Sequence, residues 1–214
     1  MPQMKVLLAD DHPIVLMGVR EIIERDPRFK VVGEAMSSSE LIDKISLLKP
    51  DVIITDYNMP GDDQYGEGTR LVEYLRRHFP EPKVLILTVI TNAQVLTWLY
   101  ELGISGVISK SAGLEQILVA LDAFYRQGHY QQDQPQGALS EDADDLSQRL
   151  SQLTVKEFEV LRLFSTGVSV SDVAHSLNRS IKTISTLKIS AMRKLNVDND
   201  QALLILCVKA NLFA

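Results

Sequence analysis

The chain has 214 residues, 45% of them hydrophobic, with 22 Lys and Arg against 28 Asp and Glu for a formal charge of −6. That length admits one large core or two small ones. The one cysteine, Cys207, sits in an apolar helical run and reads as core packing, which excludes a disulfide scaffold and a cysteine metal site. No apolar stretch approaches the ~18 residues of a membrane helix, and the N-terminus turns acidic by Asp10. A cytoplasmic protein with neither secretory signal nor membrane contact is therefore expected. Charge is uneven: residues 1–128 carry −5, residues 129–152 carry −4 and residues 153–214 carry +3. A small basic segment suits an anionic partner such as DNA.

In chain order, short aliphatic runs alternate with helical patterns, as in a doubly wound sheet. Residues 4–9 (MKVLLA) form the first predicted strand. A helix over 13–26 follows, with Pro13 in its first turn and an inward face of Ile14, Met17, Gly18 and Ile22. Strands are predicted at 29–34, 51–55, 83–88 and 106–109, and helices at 38–48, 68–79, 93–102 and 113–127. Residues 129–150 are polar and acidic and contain Pro135 and Gly137, the composition of a linker, with a short helix from Leu146 to close it.

Residues 153–214 read as a small helical domain. Thr154 with Glu157 three residues later makes a capping box, Gly167 ends that helix, and a second helix covers 169–177. Asn178, Arg179 and Ser180 form a turn before a helix over 181–195, and a last Leu- and Ile-rich helix follows. At ~100° per residue the helix over 181–195 separates into two faces. Ile184, Ala191 and Leu195 fall together and should pack inward, whereas Lys182, Ser185, Thr186, Ile189 and Arg193 share the opposite side. Lys188 lies nearer the packed side and would have to snorkel to reach a phosphate.

The chemistry-bearing residues follow the strands. Asp10 and Asp11 close the first run, Asp56 closes the third, Thr88 ends the fourth and Lys110 follows the fifth. If those strands are parallel neighbours, three carboxylates and one ammonium meet at the carboxyl edge of the sheet, where open α/β folds place their sites. Such a pocket suits a hard cation such as Mg2+, with a lysine charge beside it. Asp pairs alone are most often caps or solvated loops; all these elements in this order are more specific.

The residues resemble the response-regulator receiver domain over about residues 1–128, through Ala9-Asp10-Asp11-His12-Pro13, Thr55-Asp56-Tyr57-Asn58-Met59-Pro60, Thr88 and Lys110. The resemblance implies a flavodoxin-like five-stranded parallel α/β sheet. It further implies phosphorylation of Asp56, and Mg2+ held by Asp10, Asp11, Asp56 and the backbone carbonyl of Asn58, with Lys110 and Thr88 holding phosphoryl oxygens. Residues 151–214 resemble the LuxR-type helix-turn-helix module of the NarL/FixJ class. This implies a small all-α domain whose Lys182, Ser185, Thr186, Lys188, Ile189 and Arg193 contact double-stranded DNA. Across both halves the match extends to the Rcs-type regulators, for instance through Asn178-Arg-Ser-Ile-Lys-Thr-Ile-Ser185, and the resemblance implies Lys in those regulators at the position of Ile189.

Three departures stand out: Ser111 follows Lys110 where receivers commonly carry Pro, Val107 replaces the usual switch aromatic, and Val89 is larger than the common residue. The chain thus reads as a bacterial two-component transcriptional regulator, associated with the nucleoid when bound to DNA. Its expected partners are a sensor histidine kinase or histidine phosphotransfer protein, and a second copy or a different regulator as dimer partner. It is not expected to be an enzyme beyond its own phosphoryl transfer and dephosphorylation. The other readings are a phosphorylation-independent regulator acting through heterodimers, and a metal-dependent phosphatase, for which no further acid–base residue is found.

Overall fold

The computed structural model of the chain describes residues 3–59, 65–90, 92–126, 130 and 141–209. It divides into two compact units, Met1–Thr88 with Leu99–Asp133 and Val89–Trp98 with Gln134–Ala214. Half of the expected linker, residues 129 and 131–140, and the loop 60–64 after Met59 lie outside the described residues.

The first unit is built on five parallel strands, β1 (Met4–Ala9), β2 (Phe29–Ala35), β3 (Val52–Asp56), β4 (Lys83–Thr88) and β5 (Gly106–Ser109). Their order is β2-β1-β3-β4-β5, with the reversal between β1 and β3 that marks the ligand-binding crevice of such sheets. The helices are α1 (Pro13–Glu24), α2 (Ser38–Leu48), α3 (Thr69–His78) and α5 (Glu115–Arg126); α4 (Ala93–Glu101) spans the division between the units. Alternation sorts the strands: Val6 and Leu8, Val52 and Ile54, and Leu85 and Leu87 join Leu16, Val19, Ile23, Ile117 and Phe124 in one core cluster. Leu7 and Ile53, equally buried, point to the opposite face.

The inward face of α1 differs from the predicted one. Ile22 is buried as expected, but Ile14 and Met17 are 78% and 68% exposed, and Leu16, Val19 and Ile23 are buried instead. A helix apolar nearly all round offers more than one stripe at helical spacing, and the sheet selects between them. The start of α5 also shifts. A 3-10 turn at Lys110–Ala112 precedes it, and Gly113 turns the chain at φ +85, a conformation that an L side chain rarely adopts.

The second unit contains α6 (Glu141–Ser151), α7 (Val155–Ser165), α8 (Val170–Ser176), α9 (Ile181–Leu195) and α10 (Asp200–Lys209). The predicted short helix from Leu146 is thus an 11-residue helix that begins at Glu141. Ser169 and Ser180 accept hydrogen bonds from the N–H groups of Asp172 and Thr183, capping α8 and α9, and Asn196 ends α9 at φ 57 in the left-handed region. Val160, Leu163, Val173, Ala174 and Ile184 form the core. Cys207 is buried, which pushes its thiol up to about 11, in keeping with a packing role. Among the described residues no helix is long and apolar enough to cross a membrane.

Glu157 does more than cap. Its carboxylate accepts from the Thr154 N–H (2.8 Å), the Thr154 hydroxyl (2.9 Å), the Ser190 hydroxyl (2.7 Å) and the Lys194 ammonium (2.6 Å), so it ties the start of α7 to the C-terminal half of α9. Burial opposes its ionisation, but Lys194, Ser190 and Thr154 prevail and hold the carboxyl at about 2, against an ordinary 4.5. Because the folded value is depressed, the stabilisation is present above about 4.5 and is lost as pH falls through about 2. In urea unfolding of the full chain followed by NMR signals of α7 and α9, Glu157→Gln should cost about 2–3 kcal/mol at pH 7. That deficit should shrink steadily below pH 4.5; a deficit independent of pH would show that packing, not charge, is what the substitution removes.

Candidate functional site

The parallel register brings the predicted pocket together in the first unit. Asp10 follows β1 and its N–H donates to the Ala35 carbonyl (3.1 Å), while Asp56 is the last residue of β3, paired with Leu87. Thr88 and Ser109 pair at the ends of β4 and β5. Lys110 starts the 3-10 turn after β5, where the Ser109 hydroxyl accepts from the Ser111 N–H. From there its side chain reaches across the end of β4 to the two acids: Lys110 Nζ lies 2.9 Å from Asp10 Oδ2 and 3.0 Å from Asp56 Oδ2. Asp10, Asp56 and Thr88 are buried, at 1%, 5% and 1% exposure. The cap oxygen thus comes from Ser109, before Lys110, and Ser111, in the position after it, supplies the backbone N–H that a proline there would lack.

Loss of hydration raises the Asp56 carboxyl above the ordinary aspartate range; Lys110 and the Asn58 N–H partly offset this, and the nearby Asp10 charge adds to it. Lys110 also moves up, for a different reason. Burial pulls it down, but Asp56 and Asp10 outweigh that and keep the ammonium charged. Asp56 is the more deeply buried partner, whereas the less buried Lys110 faces two carboxylates.

His12, not singled out from the sequence, completes the edge. Its Nδ1 lies 2.9 Å from Asp11 Oδ1 and 3.1 Å from Asp10 Oδ1, and its backbone N–H donates to Asp10 Oδ1 (2.9 Å). Its position directly after the acidic pair was the available signal. Asp10, Asp11 and His12 can offer ligand atoms within 4.8 Å of one another, and the buried Asp11 Oδ1, although 2.9 Å from His12 Nδ1, accepts no hydrogen bond of good geometry. The oxygen-rich donor set, with Lys110 balancing one of three carboxylates, fits a divalent cation such as Mg2+.

In the second unit, α9 carries the predicted outer face. Lys182, Thr186, Ile189 and Arg193 are exposed and Ser185 is half-buried, whereas Ile184, Ala191, Met192 and Leu195 are buried. The first turn of α9 holds no acidic residue, unlike those of α7, α8 and α10. Lys188 does not snorkel toward that face. Its ammonium sits 2.8 Å from both carboxylate oxygens of Asp200 and 4.3 Å from the centre of the Phe164 ring, with the side chain 13% exposed. Helical spacing placed Lys188 near the packed side, but Asp200 and Phe164 are far in sequence and only the fold brings them to it.

A doubly wound receiver sheet with acids and a lysine at its switch point, and a helix-turn-helix unit after it, define a response regulator with a DNA-binding output domain. The chain belongs to that family: it matches the response regulator receiver domain over residues 6–122 and the luxR family of bacterial regulatory proteins over residues 151–207. It is 42% identical over 211 residues to the transcriptional regulatory protein RcsB of Escherichia coli strain K12, covering 95% of this chain and 94% of that protein. It is 30% identical to the oxygen regulatory protein NreC of Staphylococcus haemolyticus, over 98% and 99% of the two chains. Among solved structures, RcsB of Salmonella typhimurium superposes with a TM-score of 0.78 at 40% identity over the whole of both chains. RcsB of Salmonella enterica serovar Typhimurium, bound to promoter rprA with the phosphomimetic BeF3−, gives 0.77 at 39% identity over 97% and 99%.

Because Lys110 lowers the Asp56 carboxyl while burial raises it, Lys110→Met should move its titration midpoint further up. Carbon-detected NMR of the Asp56 carboxyl in the full chain measures this, and an unchanged or lower midpoint would contradict the pairing.

Proposed function

We propose that the chain is the phosphoacceptor and DNA-binding regulator of a bacterial phosphorelay, modified on Asp56. The observation that carries this reading is the single Lys110 ammonium within 3.0 Å of both Asp10 and Asp56 at the carboxyl edge of the sheet. An anionic carboxylate attacking an anionic phosphoryl group needs charge neutralised around it. Asp56 would attack phosphorus as the bond from phosphorus to the donor histidine nitrogen breaks, with a sensor histidine kinase or a histidine phosphotransfer protein as donor. Lys110 would shift from carboxylate to phosphoryl oxygen as a mobile point charge, and the Thr88 hydroxyl would hold another oxygen. Asp10, Asp11, Asp56 and the Asn58 carbonyl would hold Mg2+, which supplies neutralisation of the phosphoryl charge. No turnover on external substrates is proposed.

The modified protein would pair with a second copy, or with a different regulator, and place two α9 helices in successive major grooves of double-stranded DNA. Lys182, Ser185, Thr186, Ile189 and Arg193 make up that surface. The RcsB structures bound to promoter DNA support this reading. Val107 in β5 is buried and aliphatic where many receivers place a moving aromatic, which favours a small energy gap between the modified and unmodified states.

Incubation with a small phosphodonor and Mg2+ should give one base-labile acyl phosphate, abolished by chelation and by Asp56→Ala; labelling of Asp56→Ala at the level of the unchanged protein would overturn the assignment. Phosphorylation should raise DNA affinity by less than about 100-fold, or ~2.7 kcal/mol. A larger gain in a fluorescence anisotropy titration would contradict weak coupling through Val107.

A further inference from the structure

We propose that α9 recognises an A·T base pair through the thymine methyl group, with Ile189 as the reading side chain and Lys182 and Arg193 as backbone anchors at either end. This rests on the reading of α9 as the DNA-contacting helix. Ile189 is 49% exposed in the middle of a face that is otherwise polar, and it packs into no part of the unit's core. A guanine edge in the major groove presents two acceptors and calls for a donor such as Lys or Arg, whereas a thymine edge presents a methyl group that an aliphatic side chain can cover.

Of the donors around Ile189, those of Thr186, Lys188 and Ser190 are engaged elsewhere, which leaves on this side the one hydroxyl of Ser185. The Thr186 hydroxyl donates to the Lys182 carbonyl one turn back (2.9 Å), so its hydrogen is committed to the backbone. Lys188 is the cation nearest Ile189 in sequence, and it is held by Asp200 and the Phe164 ring. The Ser190 hydroxyl is likewise committed, to Glu157 at 2.7 Å. Exposed cations therefore stand only at the two ends of the face, at Lys182 and Arg193, about three turns apart. Flexible end cations suit phosphates, which fix position without reading sequence.

The test uses the full-length protein and duplexes selected from a random library, resynthesised with deoxyuridine in place of thymidine at the enriched A·T step. Loss of one buried methyl, worth roughly 0.8 kcal/mol, should weaken binding about 4-fold per half-site. Ile189→Ala should bind thymidine and deoxyuridine duplexes alike, and Ile189→Lys should shift selection toward G·C and steepen the slope of log K against log salt by roughly 0.9 for each phosphate gained. Equal affinity of the unchanged protein for both duplexes would overturn the inference, as would full methyl sensitivity in Ile189→Ala. Failure to bind any duplex at low salt would instead overturn the DNA-binding reading itself.

Discussion

Two aspartates from different strands, both almost fully buried, face a common space at the edge of a parallel sheet, and one ammonium holds them there. Without Lys110 the mutual repulsion of Asp10 and Asp56, added to the loss of hydration that already raises Asp56, would favour protonation or an opened edge. The ammonium comes from the far side of β4, so its reach depends on the register that ends β1, β3, β4 and β5 at one level. It depends also on the 3-10 turn that Ser109 caps and Gly113 closes. The sheet is thus the means by which three residues separated by up to 100 positions, Asp10, Asp56 and Lys110, come within hydrogen-bonding distance.

The second unit solves a related problem with less apolar material. Its core cluster is small, and α9 is fixed by polar ties as well: Glu157 grips Ser190 and Lys194, Arg149 donates to the Leu195 carbonyl (3.1 Å), and Asp200 takes Lys188. Buried hydrogen bonds to charged groups are directional, so they set the rotation of a helix about its axis more sharply than aliphatic contacts do. The face that α9 leaves outward follows from that rotation. The buried Glu159–Arg162 pair, with two hydrogen bonds at 2.9 and 3.1 Å, similarly lets α7 carry charge on a side that is closed to water.

Much of this was legible beforehand where a local rule acts alone. Strand limits followed from short aliphatic runs, the capping box at Thr154 and Glu157 from spacing, and the inward positions Ile184, Ala191 and Leu195 from the helical period. The misreadings occurred where more than one choice satisfied the same rule. The apolar stripe of α1 could begin at Ile14 or Leu16, and the sheet took the second. The acidic run 141–145 looked like linker because charge suggests solvent, yet Asp145 pairs with Arg149 one turn later and the run is helical.

The sequence by itself determined the order of strands and helices, the residue types of the acidic pocket and the polar outer face of α9, because those depend on periodicity, caps and composition within a few residues. Tertiary structure alone decided which charges distant in sequence meet. The bridge from Lys110 to Asp10 spans 100 residues and the pair Lys188–Asp200 spans 12. In both cases strand order or helix packing, not local spacing, sets the distance between the charges.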